Sequence, residues 1–409
     1  MAAIPPTPVP DSAAVPSGMS RRYYWFLILY MVGMSMYGSF VNDMYTPALP
    51  ELCRFFSCSV ATVQLGMTTA LCGAAIGQMV MGPVSDHFGR RPVLWFALAL
   101  GMCAAFFSIF SKTITVFLIF RFLQGLGGSG GYFLARAIPT DLFHGRRLAM
   151  FMATIGAING IAPASAPVIG GFVSDAFTWK GVFVVLAATA AVLLFISPAF
   201  KESLAPAARL PLSLKASARG YRDLLHRKSY MIHVMLKGWT LALMFVYISS
   251  APFILETHYG LSESTLGIVI GVNALFMAGG SMVSLKFKPL KRSAFVGALV
   301  LAAGVALQCV ALWFIHNFWV YEILLVPMTF SMGMIFATSN TLAMNEGRDR
   351  AGEAAAVLGT VGYIMGGLAT PLVGLGDVLH STAVVFAVLT VFILIAAYRT
   401  RRQPADLDK

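Results

Sequence analysis

Twelve apolar runs, each close to the length a helix needs to cross a bilayer, constrain this 409-residue chain more than any other feature. They fall at roughly 23–44, 60–81, 93–111, 114–137, 148–172, 180–199, 230–253, 265–285, 294–315, 318–342, 353–375 and 382–399. About 20 apolar residues in helical form span the hydrocarbon core. Soluble domains carry about 25% charged residues; here 11% are charged and 58% hydrophobic, with a mean hydropathy of +0.78. A water-soluble fold this apolar could not cover its surface, so the chain reads as an all-α polytopic membrane protein.

The longest polar interruption, roughly 200–229, is basic from Lys201 to Lys228 and separates six runs from six. The expected organisation is a disordered cytoplasmic tail at 1–22, a six-helix half at 23–199, a cytoplasmic linker at 200–229, a second six-helix half at 230–399 and a cytoplasmic tail at 400–409. Arg21 and Arg22 ahead of an apolar run imitate a signal peptide. The run is longer than the 7–15 residues of such a segment and no small-residue cleavage site follows, so it reads as an uncleaved first span.

Placing the N-terminus inside puts most Lys and Arg in cytoplasmic segments and leaves Arg54, Lys112 and Lys180 in outer loops. That asymmetry is the positive-inside signal. It accounts for the net charge of +12 without nucleic acid, because the basic face meets anionic headgroups. No metal-ligand cluster, nucleotide loop or nucleophile–base pair is visible, so no metal, no cofactor and no enzymatic chemistry are expected. Cys53 and Cys58 share the first outer loop, where an oxidising periplasm permits a disulfide; the scatter of the five cysteines looks incidental.

Charges at membrane depth are costly and point to function. Asp43 ends an otherwise uncharged run that begins at Tyr23. Burial there favours the protonated acid, and a carboxylate that holds either a proton or a cation gives exchange by competition. A plainer reading makes Asp43 a marker of the outer interface. Arg121 lies inside the fourth run and stays charged, so it needs carboxylates, carbonyls or water; Gln124 shares its helix face three residues on. Lys237 is within snorkelling reach of the cytoplasmic surface, whereas a cavity-facing position would suit an anionic or zwitterionic substrate. Glu322 sits beside Trp319 and Tyr321 as either an interfacial anchor or a second proton site.

The segment "GPVSDHFGRRPVL", Gly82 to Leu94, combines turn glycines Gly82 and Gly89 with Asp86, Arg90 and Arg91, which could pair with carboxylates across a cytoplasmic gate. It resembles the signature loop of the major facilitator superfamily. "RFLQGLGGSGG", Arg121 to Gly131, resembles a second signature of that family, and "APVIGG", Ala166 to Gly171, resembles its antiporter motif with Ala for the first glycine. "NDMYTPALP" and "VQLGMTTALCGAAIGQMVMGPVSD" are similar to the Bcr/CflA-type drug:proton antiporters, a group that includes chloramphenicol and bicyclomycin exporters. The loop "SLKFKPLKRS" after the eighth span keeps the charge of the signature and lacks its Gly and Asp. Thr140–Asp141 stands where relatives often carry Arg-Asp, with Arg136 about one turn upstream.

The resemblance implies twelve transmembrane helices in two pseudo-symmetric halves, a monomer, and alternating access around a midplane site. It implies proton-coupled export of small amphipathic drugs or xenobiotics across a bacterial inner membrane, with the proton as coupling ion and no resident cofactor. Proton coupling falls to Asp43, Arg121 and Glu322. Substrate contacts fall to Tyr37, Asn42, Tyr45, Gln64, Gln124, Lys237 and Asn273. Gating falls to Gly82, Asp86, Gly89, Arg90 and Arg91, and antiport bias to Pro163, Pro167, Gly170 and Gly171, whose close packing would seal the cavity against proton leak. The rival readings are an exporter of one endogenous metabolite, such as a sugar, siderophore or amino-acid derivative, and a transporter-like receptor or scaffold without turnover.

Overall fold

A computed structural model of the chain describes residues 19–143, 145–209, 214–315 and 317–403. Among the described residues every regular element is helical. The helices are α1 (Arg21–Asp43), α2 (Leu49–Phe55), α3 (Val60–Phe88), α4 (Arg90–Ser108), α5 (Ile114–Leu142), α6 (Gly145–Ile196), α7 (Leu214–His226), α8 (Lys228–Pro252), α9 (Glu263–Ser284), α10 (Leu290–Val310), α11 (Phe318–Glu346), α12 (Ala351–Ala369) and α13 (Val378–Arg401). Among the described residues ten stretches are long and apolar enough to cross a membrane. Two features reconcile ten with the twelve runs. Helix α6 holds the fifth and sixth spans, joined at the non-helical residues Phe177 and Thr178, and α5 is diluted by Arg121, Gln124 and its glycines. Most of the N-terminal tail and the end of the C-terminal one lie outside the described residues.

Local chemistry sets where spans begin. Ser59, Thr113, Ser262, Asn317 and Asp377 each accept a hydrogen bond from a backbone N–H in the first turn of α3, α5, α9, α11 and α13. Such caps satisfy donors that lipid could not. These five helices all start at the face opposite the basic loops.

Helices α1–α6 and α8–α13 form two bundles that meet through α3 against α12 and α6 against α9. Within each bundle one tight crossing is made by glycine. In the first, a Cβ on Gly125 would strike the carbonyl of Ala70, and one on Gly73 that of Phe122. In the second, Gly333 meets the carbonyl of Met277 and Gly280 that of Phe330. Small residues let backbones approach where lipid offers no hydrophobic drive to association. Exposed Phe195, Phe314 and Leu375 belong to the apolar outer surface.

Candidate functional site

Asp43 is buried deep in protein. The α1 helix ends there because the Thr46 hydroxyl caps the Asp43 carbonyl at 2.8 Å and Pro47 starts a short 3-10 turn over Thr46–Ala48. The chain then continues as α2, and every residue from Phe40 to Pro50 is buried. Asp43 is 5% exposed, and its Oδ1 is buried without a hydrogen-bond partner. The interfacial-marker reading therefore fails: a marker would face headgroups and water.

Arg121 is fully buried and does not pair with Asp43. Its Nη1 donates to the Val41 carbonyl at 2.9 Å and to Gln124 Oε1 at 2.6 Å. Its Nε donates to the Gly66 carbonyl at 3.3 Å, and its plane lies 3.9 Å from the centre of the Tyr45 ring. Only Nη2 is left without a partner. The Gly66 carbonyl, the end of α1 and the Tyr45 face thus hold the cation, and a guanidinium suits such a mixed set of acceptors. Gln124 orients Arg121, as the helix spacing implied, and Tyr45 is its platform.

Beside this cluster lies a small cavity within the first half, lined by Gly38, Asn42, Gln78, Ser129 and Tyr132 among others and closed by Tyr363 of the second half. Asn42 lines this cavity, its Nδ2 donating to the Gly38 carbonyl. Tyr37 does not: its hydroxyl abuts Gly101 of α4, on a different face of α1, because residues five apart in a helix diverge by more than a quarter turn. Gln64 bridges the halves, donating to the Ser249 carbonyl at 3.3 Å. Thr68 to the Gly367 carbonyl and Thr360 to the Ala75 carbonyl extend that seam. Gln78, Tyr132 and Tyr363 escaped sequence reading, since polar residues inside apolar helices carry no mark of the face they occupy.

The second half buries its own acid. Glu322 Oε1 accepts from Asn273 Nδ2 at 2.6 Å, and the same amide reaches the Tyr247 hydroxyl at 3.2 Å. Glu322 Oε2, Asn273 Oδ1 and the Tyr321 hydroxyl are buried and unpartnered. Glu322 is thus drawn into the bundle, away from a headgroup anchor role. Lys237 also stays inside: it is 9% exposed, and its Nζ donates to Asn340 Oδ1 at 2.8 Å and lies 4.8 Å from the Phe336 ring centre. Snorkelling would have carried it to the surface.

The signature loop closes within one half. Arg90 donates to Asp86 at 2.6 Å, to Asp141 at 2.9 Å and to Ser85 at 2.6 Å. Arg91 donates to the Pro198 carbonyl and stacks on Trp95. The expected ion pairs across the gate are thus replaced by a clamp of α3, α4 and α5 within the first bundle. Asp141, the survivor of the altered Arg-Asp pair, is its missing member. Glu202 receives the backbone N–H groups of Arg90 and Arg91 at 2.9 and 3.1 Å, capping α4 where Gly89 turns at φ +100°, a conformation that favours glycine. Gly82 abuts the Phe133 ring.

Pro163 and Pro167 lie within α6, whose two non-helical residues come later, at Phe177 and Thr178. Gly170 is pressed to the Met44 carbonyl and Gly171 to the Glu263 carbonyl. One glycine seats α6 on the end of α1 and the next seats it on α9 of the other half. Among the described residues no group of three or more His, Cys, Asp or Glu is arranged to hold a metal, and Cys53 and Cys58 are free thiols.

The family model described as Major Facilitator Superfamily matches residues 25–370. An uncharacterized MFS-type transporter, YdgK, of Bacillus subtilis is 34% identical over 372 residues, 88% of this chain and 91% of the relative. A bicyclomycin resistance protein homolog of Haemophilus influenzae is 27% identical, covering 87% of this chain and 90% of the relative. The multidrug resistance protein MdtL of Shigella dysenteriae is 29% identical, covering 78% and 80%. Among solved structures, a bacterial homolog of the human lysosomal transporter Spinster, inward-facing and occupied, superposes with a TM-score of 0.74 at 15% identity, covering 96% of this chain and 99% of that one.

Proposed function

The chain belongs to the major facilitator superfamily, as a polytopic membrane transporter and not an enzyme, and we propose that it is a proton-coupled antiporter exporting small amphipathic organic compounds. Relatives named for multidrug and bicyclomycin resistance support drug efflux. We further propose that it lies in a bacterial cytoplasmic membrane with both termini inside, in keeping with its basic loops.

One observation carries the coupling mechanism: Asp43 is buried with an unpartnered carboxyl oxygen while Arg121, which donates to the Val41 carbonyl two residues before it, is tied to carbonyls and to Gln124. An ionised carboxylate without donors is costly inside a bundle, so this packing suits the neutral acid. Val41 and Asn42, which precede Asp43 in α1, line the cavity together with Tyr363. A substrate entering beside Asn42 changes the polarity next to Asp43 and displaces its proton. Reprotonation from the far side resets the carrier. Each 100 mV supplies roughly 2.3 kcal/mol per charge moved, enough to drive uphill export of a neutral compound.

The test is substrate-induced proton release from purified protein in detergent, with chloramphenicol and tetraphenylphosphonium as probes. Release from the wild type that disappears in Asp43→Asn, with binding retained, is the expected result. Release that persists unchanged in the variant sinks Asp43 as the coupling site and moves the search to Glu322.

A further inference from the structure

The corner between α2 and α3 brings two cysteines together. Helix α2 closes on a left-handed residue, Ser57 at φ +51°. The Ser57 N–H donates to the Arg54 carbonyl at 3.2 Å, and the Cys58 N–H donates to the Cys53 carbonyl at 3.1 Å. This nested pair of bonds is the Schellman close of a helix, in which the residue past the turn packs on the residue that begins the last turn. An apolar contact often joins those two positions; here they are Cys58 and Cys53. Standard bond lengths around the second bond hold the two Cα atoms within about 7 Å of each other, and a disulfide spans about 4.4–6.8 Å. Cys53 Sγ already donates to the Cys58 carbonyl at 2.7 Å, so the sulfur of one cysteine lies against the other residue. Both thiols are partly exposed. Cys72, Cys103 and Cys309 belong to α3, α4 and α10, outside this turn.

We propose that Cys53 and Cys58 form a disulfide in the working carrier, and that this bridge locks the α2–α3 corner. The inference rests on the outward placement of the loop proposed above, since such bonds persist in oxidising compartments. The oxidant is a disulfide, carried by a protein or a small molecule. One cysteine thiolate attacks it, forms a mixed disulfide and expels one thiol. The second thiolate attacks the cysteine sulfur of that mixed disulfide and expels the other thiol. The pair loses two electrons and two protons, and the donor becomes two thiols. The corner has reason to be held. Helix α2 has only seven residues, too few to persist alone. It carries Glu51, whose Oε2 accepts the Trp179 N–H at 2.6 Å, and Phe55, whose ring centre lies 5.2 Å from that of Trp179. Phe56, which caps α2, lies 6.0 Å from the same ring. These contacts fasten the segment after Asp43 to α6, and a bridge across the last turn keeps α2 from fraying.

The test counts thiols in the full-length protein. Cells producing it are quenched in acid, and the denatured chain is alkylated with N-ethylmaleimide and weighed by mass spectrometry before and after reduction. The chain has five cysteines, so three labels before reduction and five after are expected, with peptide mapping placing the bond between Cys53 and Cys58. Purified, reduced protein in nanodiscs should reach the same state when given oxidised glutathione. Cys53→Ser and Cys58→Ser should each abolish the internal bond, and Cys72→Ser should keep it. Hydrogen exchange at the Ser57 and Cys58 amides should slow roughly tenfold in the oxidised form. Five labels both in cells and after glutathione treatment overturn the proposal, as does a bond mapped elsewhere or a glutathione adduct that stops at one cysteine. Five labels in cells, with the bridge closing in the nanodisc, keep the pair and remove the outward placement of the loop. Exchange that is not slowed removes the locking role.

Discussion

Each half of the molecule buries a carboxylate, and the two are held in opposite ways. In the first half Asp43 lies near a fixed cation that ignores it, since Arg121 is occupied by Val41, Gly66 and Gln124. In the second half Glu322 forms no ion pair among the described residues and is gripped by Asn273, which also touches Tyr247. An arginine bound to backbone carbonyls sets a standing field that moves with the helices carrying those carbonyls. An amide grip is local and neutral. The first arrangement ties proton affinity to the position of α1 against α3 and α5; the second holds an acid in place. This difference is why Asp43, and not Glu322, is assigned the coupling role.

The largest expected effect comes from removing the cation. Arg121→Ala strips the donors from Val41, Gly66 and Gln124 together, and each buried acceptor left unsatisfied costs roughly 1–3 kcal/mol. Transport in proteoliposomes should vanish, and the thermal midpoint should fall clearly. Arg121→Lys, which supplies charge without the planar fork, should restore stability better than it restores transport. An alanine variant that transports normally would remove the asymmetry between the halves.

Next in size is the contrast between the acids. Asp43→Asn should abolish proton-coupled accumulation while Glu322→Gln, which keeps an amide-to-carbonyl contact with Asn273, should lower it by severalfold at most. Counterflow, which needs no proton gradient, should persist in both. Equal loss in the two variants would make the carboxylates a joint coupling system. The smallest effects concern packing. Gly125→Ala and Gly333→Ala each drive a methyl into a facing backbone carbonyl, and overpacking of this kind costs about 1–3 kcal/mol. Similar drops in melting temperature would show that the two glycine crossings are equivalent, leaving the polar clusters as the point where the halves diverge.

The spans were legible because hydropathy over 20 residues is a bulk property of a segment. So was the Arg121–Gln124 pair, which helix spacing alone brings onto one face. The signature loop was legible as a motif but not as a set of contacts. Arg90 and Arg91 looked ready to bridge a gate, yet Asp141 and Glu202 engage them inside one bundle, and both acids are distant in sequence. Tyr37 and Asn42 show the same limit at short range. Both sit near the end of α1, and only the rotation of that helix against α4 and α12 sends one to packing and the other to the cavity.

By itself the sequence determined a helical polytopic membrane chain with its basic residues gathered in a few loops and four charges inside apolar runs, because burial in lipid is decided segment by segment. Tertiary structure decided what those charges do. It buried Asp43, occupied Arg121 with carbonyls, gave Glu322 to Asn273 and held Lys237 on Asn340. The reason is geometric: a charge in apolar surroundings is defined by the few groups within hydrogen-bond reach, and those groups come from helices tens to hundreds of residues away.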